Sequence, residues 1–434
     1  MPRFPFRPVL LAVFGLAGLT TAAVAQPASS CLALTDAMGL AAARAPEVAG
    51  AQARLAQAEA EARAARSLRR PQVSTFGRSS VGDTGLTSSQ IENQIGVQVS
   101  QRIYDFGDAR LAETAARNQV DQRNYEIEAQ QAESAQMLAD AYLTRLETLA
   151  VMDVVSERRD YFGRQRDAVA DLLARGGATR ADRAQIEAQL ANAEADALEL
   201  QFLAEQSATR IREYAGVVVG ELCDDAQAAA DLSGQMSGLE TLDTLVRAAL
   251  SENPMIGARL SAVRSLEARL DRARRNRLPV IEAVGIASYV YDDQREDWEG
   301  RDRLGVDVSV PLYTGQALAA ERDQAAAQLE AERSALRTLQ RNMREEAEIA
   351  FRRSISLEAQ LIRREAVAAS QAEYFEAIEG EFEYGLGTLP DLVDARLAHE
   401  QAQIDVISAR FDWLRQKLEL LRLTGRTPTA ATGD

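Results

Sequence analysis

The stretch Gly96-Val97-Gln98-Val99-Ser100-Gln101-Arg102-Ile103-Tyr104 returns further along the chain as Gly305-Val306-Asp307-Val308-Ser309-Val310-Pro311-Leu312-Tyr313. In the first copy Ile95, Val97 and Val99 alternate with Gly96, Gln98 and Ser100. In the second, Leu304, Val306, Val308 and Val310 alternate with Gly305, Asp307 and Ser309. A period of two with one apolar face and one small or polar face predicts a strand. The echo extends outward in both directions. Upstream, Pro46, Glu59, Ala60, Arg66, Arg69 and Pro71 recur as Pro254, Glu267, Ala268, Arg274, Arg277 and Pro279; downstream, Gly176, Thr179 and Asp182 recur as Gly385, Thr388 and Asp391. A duplication of this length sets the architecture and places function in the assembly rather than in one pocket.

Each repeat reads as helix, strand pair, long helix, glycine turn and helix. Over residues 36–70, Val48, Ala51, Leu55, Ala58, Ala62 and Ala65 step by three and four, the seam of a coiled coil, and Val263, Leu266, Leu270 and Ala273 repeat it. Pro71 and Pro279 stop these helices. First strands are expected at 72–80 and 280–291, with loops rich in Gly, Ser, Asp and Thr at 81–90 and 292–301. Residues 108–175 and 316–384 lack Pro and are dense in Ala, Glu, Gln, Arg and Leu, so each predicts one helix roughly 100 Å long. The chain turns back at Gly176-Gly177 and at Gly385-Leu386-Gly387, where glycine takes positive φ. Return helices follow at 179–215 and 388–424, the second with the heptad series Ile404, Ile407, Phe411, Leu414, Leu418 and Leu421. The expected layout is therefore a leader (1–25), a first repeat (26–215), a linker (216–242), a second repeat (243–424) and a frayed tail (425–434).

Bulk properties narrow the class. Arg3 and Arg7, the apolar run Val9 to Leu19 and the small residues Ala23-Val24-Ala25 read as a secretory signal peptide. The formal net charge is −16, and Lys417 is the only lysine. An acidic chain without a basic block does not track phosphates, so nucleic acid is excluded as a partner. Cys31 and Cys223 each stand just ahead of one repeat. In an oxidising compartment they form one disulfide or remain two free thiols. No stretch after the leader is apolar for long enough to span a bilayer as a helix. Membrane contact then falls to the strands, and four strands with an apolar face are too few for a soluble sandwich. In lipid an open sheet leaves edge N–H and C=O groups unpaired, so the four must close with copies from neighbouring chains.

Aromatic residues stand where such a barrel meets the membrane interfaces. Tyr104 and Tyr313 close the inner ends of the second and fourth strands, and Tyr289, Tyr291 and Trp298 cluster towards the loop end of the second pair. Arg63, Arg66, Arg69 and Arg70, with Arg272, Arg274, Arg275 and Arg277, end the helices beneath the strands, a pattern that suits either the helix dipole or anionic headgroups.

The repeated elements, with Tyr104-Asp105-Phe106-Gly107 and Pro311-Leu312-Tyr313-Thr314-Gly315 leaving the strands, resemble the TolC-like outer-membrane efflux proteins. So does Tyr384-Gly385-Leu386-Gly387-Thr388-Leu389-Pro390-Asp391-Leu392-Val393-Asp394-Ala395, which is similar to that family's turn at the periplasmic tip. The resemblance implies a mainly α fold: long helical hairpins forming a coiled-coil tunnel, and four strands per protomer completing a twelve-stranded trimeric membrane β-barrel. It implies a homotrimer in contact with outer-membrane lipids, working with a periplasmic adaptor and an inner-membrane ABC or RND transporter. It also implies a periplasmic gate narrowed by aspartate rings at Asp391 and Asp394, with Asp182 as a tip residue tied to the neighbouring hairpin. Gly387 and Phe382 depart from the family's pattern, which carries Arg and Tyr there.

Enzyme chemistry finds no foothold. His399 is the only histidine and lies on the solvent-patterned part of a heptad helix; Lys417 stands outside any glycine-rich phosphate loop, and no Gly-x-Ser-x-Gly occurs. No cofactor or metal is expected. Asp391 and Asp394 follow a glycine reversal at a helix start, which suits either dipole stabilisation or a gate. The competing function is a periplasmic coiled-coil adaptor or scaffold that conducts nothing, although adaptors pair one hairpin with small β-domains.

Overall fold

The computed structural model describes residues 31–83, 89–216, 221–292 and 297–426. The expected leader, most of the expected tail and the centres of both strand-connecting loops lie outside the described residues. The first repeat contains α1 (Leu34–Arg44), α2 (Pro46–Ser67), β1 (Gln72–Asp83), β2 (Ser89–Tyr104), α3 (Asp108–Ala174) and α4 (Arg180–Ala215). Then follow α5 (Asp225–Gln235), α6 (Leu242–Ser251), α7 (Pro254–Arg275), β3 (Val280–Asp292), β4 (Asp297–Ser309), α8 (Ala317–Glu383) and α9 (Leu389–Thr424).

Two expectations need correction, and a third gains detail. The helix read over 36–70 is two helices, because Ala45 is forced extended (ψ 134°) by the proline after it and Pro46 starts α2 afresh. The second copy breaks in the same place, where Asn253 caps α7 ahead of Pro254. The strands run further into the segments read as loops, to Asp83 and from Asp297, because the antiparallel ladder continues whatever the side chains. The linker carries a helix of its own, α5, capped by the Asp224 side chain and packed through Ala228 and Leu232.

The strands form one antiparallel sheet in the order β1-β2-β3-β4. Beside the sheet the helices lie in the order α2-α3-α7-α8, and further away in the order α4-α3-α9-α8. The two 67-residue helices α3 and α8 run through both levels. The coiled-coil seams read from the sequence face inward, with Val48, Ala51 and Ala58 buried in α2 and Val263, Leu270 and Ala273 in α7. The main core sits at the waist, where α1, α5 and α6 wrap the long helices around Met38, Leu138, Tyr142, Leu232, Phe411 and Leu418. A separate core fills the hairpin ends.

At the waist the chain's beginning is fastened to the linker. Cys31 and Cys223 are disulfide-bonded across 192 residues of sequence. Beside them Leu32 and Leu222 form a parallel bridge, and the Tyr142 hydroxyl reaches the carbonyls of Leu32 (2.8 Å) and Cys223 (3.1 Å). Closing so long a loop restricts the unfolded chain, so the double variant Cys31→Ser, Cys223→Ser should lose roughly 2–5 kcal/mol of stability. Thermal unfolding with and without reductant measures it; identical midpoints would contradict the assignment.

Candidate functional site

The sheet has two unlike faces. On one, Val73, Ile95, Val97, Val99, Leu304 (88% exposed), Val306 and Val308 stand open, and the register aligns Val73 with Val99 and Gly285 with Leu304. Asn93 and Asp302 are polar members of this face, towards the loop end. On the other face lie Gln94, Gln98, Ser100, Arg102, Ser288, Arg303 and Asp307. Among the described residues no helix or second sheet packs on either face, yet Val284, Ser288 and Val290 on the polar side are buried. Their side chains shelter one another, as they must when a sheet curls towards that face. Gly96 marks the tightest point: a Cβ there would lie 2.7 Å from Ser288 Cβ. A sheet concave on its polar side and apolar on its convex side has the form of a barrel wall with water inside.

The aromatic residues read from the sequence sit at the ends of this wall. Tyr291 and Trp298 are paired in register with rings 5.6 Å apart, and Tyr289 is exposed on the apolar face one row further in. Tyr104 ends β2 edge-on to Phe106 (4.7 Å), and Tyr313 is exposed beyond the end of β4.

Between sheet and helices the chain makes a tight, charged joint. Phe106 (φ 52°) and Gly107 (φ 89°) take positive φ, and the Asp105 carboxylate accepts from Gly107 N (3.0 Å) and Ala109 N (2.8 Å), capping α3. Arg275 donates to the Phe106 carbonyl (2.8 Å), Arg272 pairs with Asp108 (2.8 Å), and Arg69 with Glu113 (3.1 Å). Arg69, Arg272 and Arg275 thus have partners inside the joint, a role that their place near helix ends did not reveal.

At the far end the hairpins turn on glycine. Gly176 (φ 75°) and Gly385 (φ 74°) follow α3 and α8, and the N–H groups of Gly177 and Leu386 return to Leu172 O (2.8 Å) and Glu381 O (2.9 Å). Gly387 donates to Glu381 O (3.2 Å). Thr179 then caps α4 reciprocally: its hydroxyl accepts from Asp182 N (3.1 Å) and Asp182 Oδ2 accepts from Thr179 N (2.8 Å). The bond from Thr179 N foremost, and then the Thr179 hydroxyl's donation to the same oxygen (2.8 Å), hold the Asp182 carboxyl below its ordinary value of 3.8. Thr388 caps α9 through its side chain alone: the hydroxyl accepts from Asp391 N (3.4 Å) and donates to Asp391 Oδ2 (2.5 Å). Asp391 and Asp394 are both exposed, three residues apart on one side of α9.

One arrangement escaped the sequence. Arg158 of α3 (13% exposed) donates to Asp196 of α4 and lies 3.1 Å from Glu400 of α9 (2% exposed), close enough to attract but not aligned to hydrogen-bond. The Arg396 guanidinium (8% exposed) lies 5.0 Å from the Tyr161 ring and 5.5 Å from Phe375 of α8. His399, expected on a solvated face, is instead half-buried and stacked on Phe375 at 5.7 Å, because α8 packs against that side of α9. Burial raises the Glu400 carboxyl against the pull of Arg158 and Arg396. Burial, then Arg396, lowers His399. Nothing short of the tertiary pairing distinguishes these residues from surface ion pairs.

Residues 37–217 and 245–426 match the family described as "Outer membrane efflux protein". The chain is 26% identical over 369 residues to the outer membrane efflux protein BepC of Brucella suis biovar 1 (strain 1330), covering 83% of this chain and 78% of BepC. Among solved structures it is similar to the CmeC outer membrane channel of Campylobacter jejuni (TM-score 0.75, 14% identity, 92% of this chain and 87% of CmeC). It is likewise similar to the outer membrane protein VceC of Vibrio cholerae (TM-score 0.73, 17% identity, 90% of this chain and 96% of VceC).

The caps define a test of the tips. Thr179→Ala or Thr388→Ala should each cost about 1 kcal/mol of local stability, seen as faster proteolysis at the turns with the waist unaffected. The Asp182 contribution is fully present above the ordinary value of 3.8 and is lost as pH falls through its depressed value. Amide exchange at Thr179, corrected for intrinsic rate, should therefore lose protection in acid.

Proposed function

Because the chain belongs to the outer membrane efflux protein family, and so is a transport channel of the outer membrane with a periplasmic tunnel, we propose that three copies close into one continuous duct. The observation that carries this reading is the position of the unsatisfied edges. β1, α2 and α4 bound one side of the protomer; β4 and α8 bound the other. Leu198 and Phe202 of α4 are exposed on the first side, and Ile349, Ile355 and Ile362 of α8 on α8's own surface. Two unlike edges on one chain suit a head-to-tail ring, and three copies of four strands give about twelve, enough to enclose a water-filled lumen. The competing scaffold reading is set aside by the family.

In this reading the apolar face of the sheet meets outer-membrane lipid, Tyr289, Tyr291 and Trp298 lie at one interface, and Tyr104 and Tyr313 at the other. The expected leader delivers the chain to the periplasm. The hairpin tips meet a periplasmic adaptor and, through it, an inner-membrane ABC or RND pump. The duct supplies no chemistry of its own, so type I protein secretion and small-molecule efflux differ in the pump rather than in the wall. Loss of the gene, scored by drug susceptibility beside the secreted proteins, separates the two.

Asp391 and Asp394 act as the gate. Threefold symmetry makes each a ring of carboxylates, which attracts cations into a narrow mouth. Asp182 supports the neighbouring tip, and the glycines at 176, 177, 385 and 387 give both turns their shape. In planar bilayers wild type should favour cations and be blocked by trivalent ions from the tip side. Asp391→Asn with Asp394→Asn should lose both properties. Unchanged selectivity and block would reduce these aspartates to helix-capping residues.

A further inference from the structure

The arginines around the joint fall into two sets. Arg69, Arg272 and Arg275 have partners within it. The guanidinium groups of Arg66 and Arg70 at the end of α2, and of Arg110 in the first turn of α3, are exposed and meet no acceptor among the described residues. Compensation of the helix dipole accounts for cations at the end of α2. It does not account for Arg110, which stands at the positive end of α3, where a cation is unfavourable. A chain of net charge −16 thus carries a local positive field just below its sheet.

The side of the wall that carries this field follows from the hollows on the two faces of the α2–α3 pair. On one face Glu61, Ala65, Ala112 and Gln119 line a hollow with Arg272. Arg272 pairs with Asp108, and so does Arg102 on the concave, polar face of the sheet, so this is the lumen side of the duct. On the opposite face Glu59 and Arg63 of α2 meet Arg117 and Asp121 of α3 across a shallow groove. Arg66 and Arg70 follow Arg63 at steps of three and four, and Arg110 precedes Arg117 by two helical turns, so all of them share that outer side. Glu113 draws the two helices together there, and this one carboxylate already serves both Arg69 and Arg117.

Depth is set by the chain itself. Val73, three residues after Arg70, is the first exposed side chain of the apolar face. Three extended residues cover at most about 11 Å, and Arg66 lies about one helical turn further down. The headgroup layer beyond the hydrocarbon is roughly 5–8 Å thick, and a long arginine side chain reaches up towards it.

We propose that Arg66, Arg70 and Arg110, flanked by Arg63 and Arg117, form a seat on the outside of the wall for the phosphate groups of anionic phospholipids in the periplasmic leaflet. The inference rests on the duct reading, which puts the convex apolar face in lipid. It goes beyond that contact by naming the charge class of the lipid and the side chains that select it. A guanidinium donates paired N–H groups to a phosphate. A lipid whose phosphate has no ammonium of its own gains most from arginines that have no carboxylate of theirs.

In the test, full-length protein is reconstituted in vesicles of equal parts phosphatidylglycerol and phosphatidylcholine with matched acyl chains. It is then extracted in mild detergent, and the lipids that stay bound are counted by native mass spectrometry. Wild type should retain phosphatidylglycerol over phosphatidylcholine, and raising the salt before extraction should reduce that preference. The triple variant Arg66→Gln, Arg70→Gln, Arg110→Gln should lower the ratio about fivefold or more. Arg54→Gln with Arg210→Gln, which removes charge lower on α2 and on α4, should leave it unchanged. A wild type without the preference, a preference indifferent to salt, or a triple variant that keeps it overturns the seat. A triple variant that falls into monomers where wild type holds together also overturns it, because these arginines would then face a neighbouring chain. A wild type that never conducts in planar bilayers overturns the duct reading instead, and the lipid ratio, read without current, still decides the seat.

Discussion

The structure depends on the hydrogen-bonding demand of two sheet edges. A backbone N–H or C=O left unpaired in hydrocarbon costs several kcal/mol, and the apolar convex face around Leu304 and Val306 belongs in hydrocarbon. The outer edges of β1 and β4 therefore make the single chain incomplete. Everything below the sheet is arranged to suit that incompleteness. The same duplicated unit that supplies two strand pairs supplies two hairpins, so the helices form a wall as open at its sides as the sheet. The joint at Asp105, Phe106 and Gly107, with Arg272 and Arg275 reaching across from α7, turns β2 into α3 and ties the two repeats together between sheet and helices.

Below the joint, stability is concentrated rather than spread. The waist holds most of the large buried side chains and is fastened by the disulfide and by Tyr142, which bonds to both the chain's first described segment and the linker. The tips hold a second core beneath capped turns.

Much of the fold was legible because the signals are local. The alternation Ile95, Val97, Val99 announces a strand with one apolar face, the gap-free run 108–175 announces one long helix, and Gly176 and Gly385 announce reversals that need positive φ. The repeat made each reading twice. The break at Pro46 was written in the sequence as well, since proline restrains the residue before it and Pro254 repeats the pattern. What stayed hidden was tertiary. Arg272 and Arg275 looked like helix-end charges until their partners on the other repeat came into view. Arg158 and Glu400 are 242 residues apart; Arg158 sits in the charged run Glu157-Arg158-Arg159-Asp160 and Glu400 among polar residues of a heptad helix, and both read as a solvated face. His399 obeyed a heptad whose outer side was assumed wet. The tip aspartates were found by their place after a glycine turn, but position alone separates neither cap from gate nor one ring from another.

The central claim is that the two free edges of one protomer are complementary. Single-particle imaging of the full-length protein extracted in detergent tests it most directly. The account predicts a threefold ring in which β1 of each chain is hydrogen-bonded to β4 of the next and α4 lies against the neighbour's α8. Particles that are monomeric, or rings in which these edges remain unpaired, would contradict it.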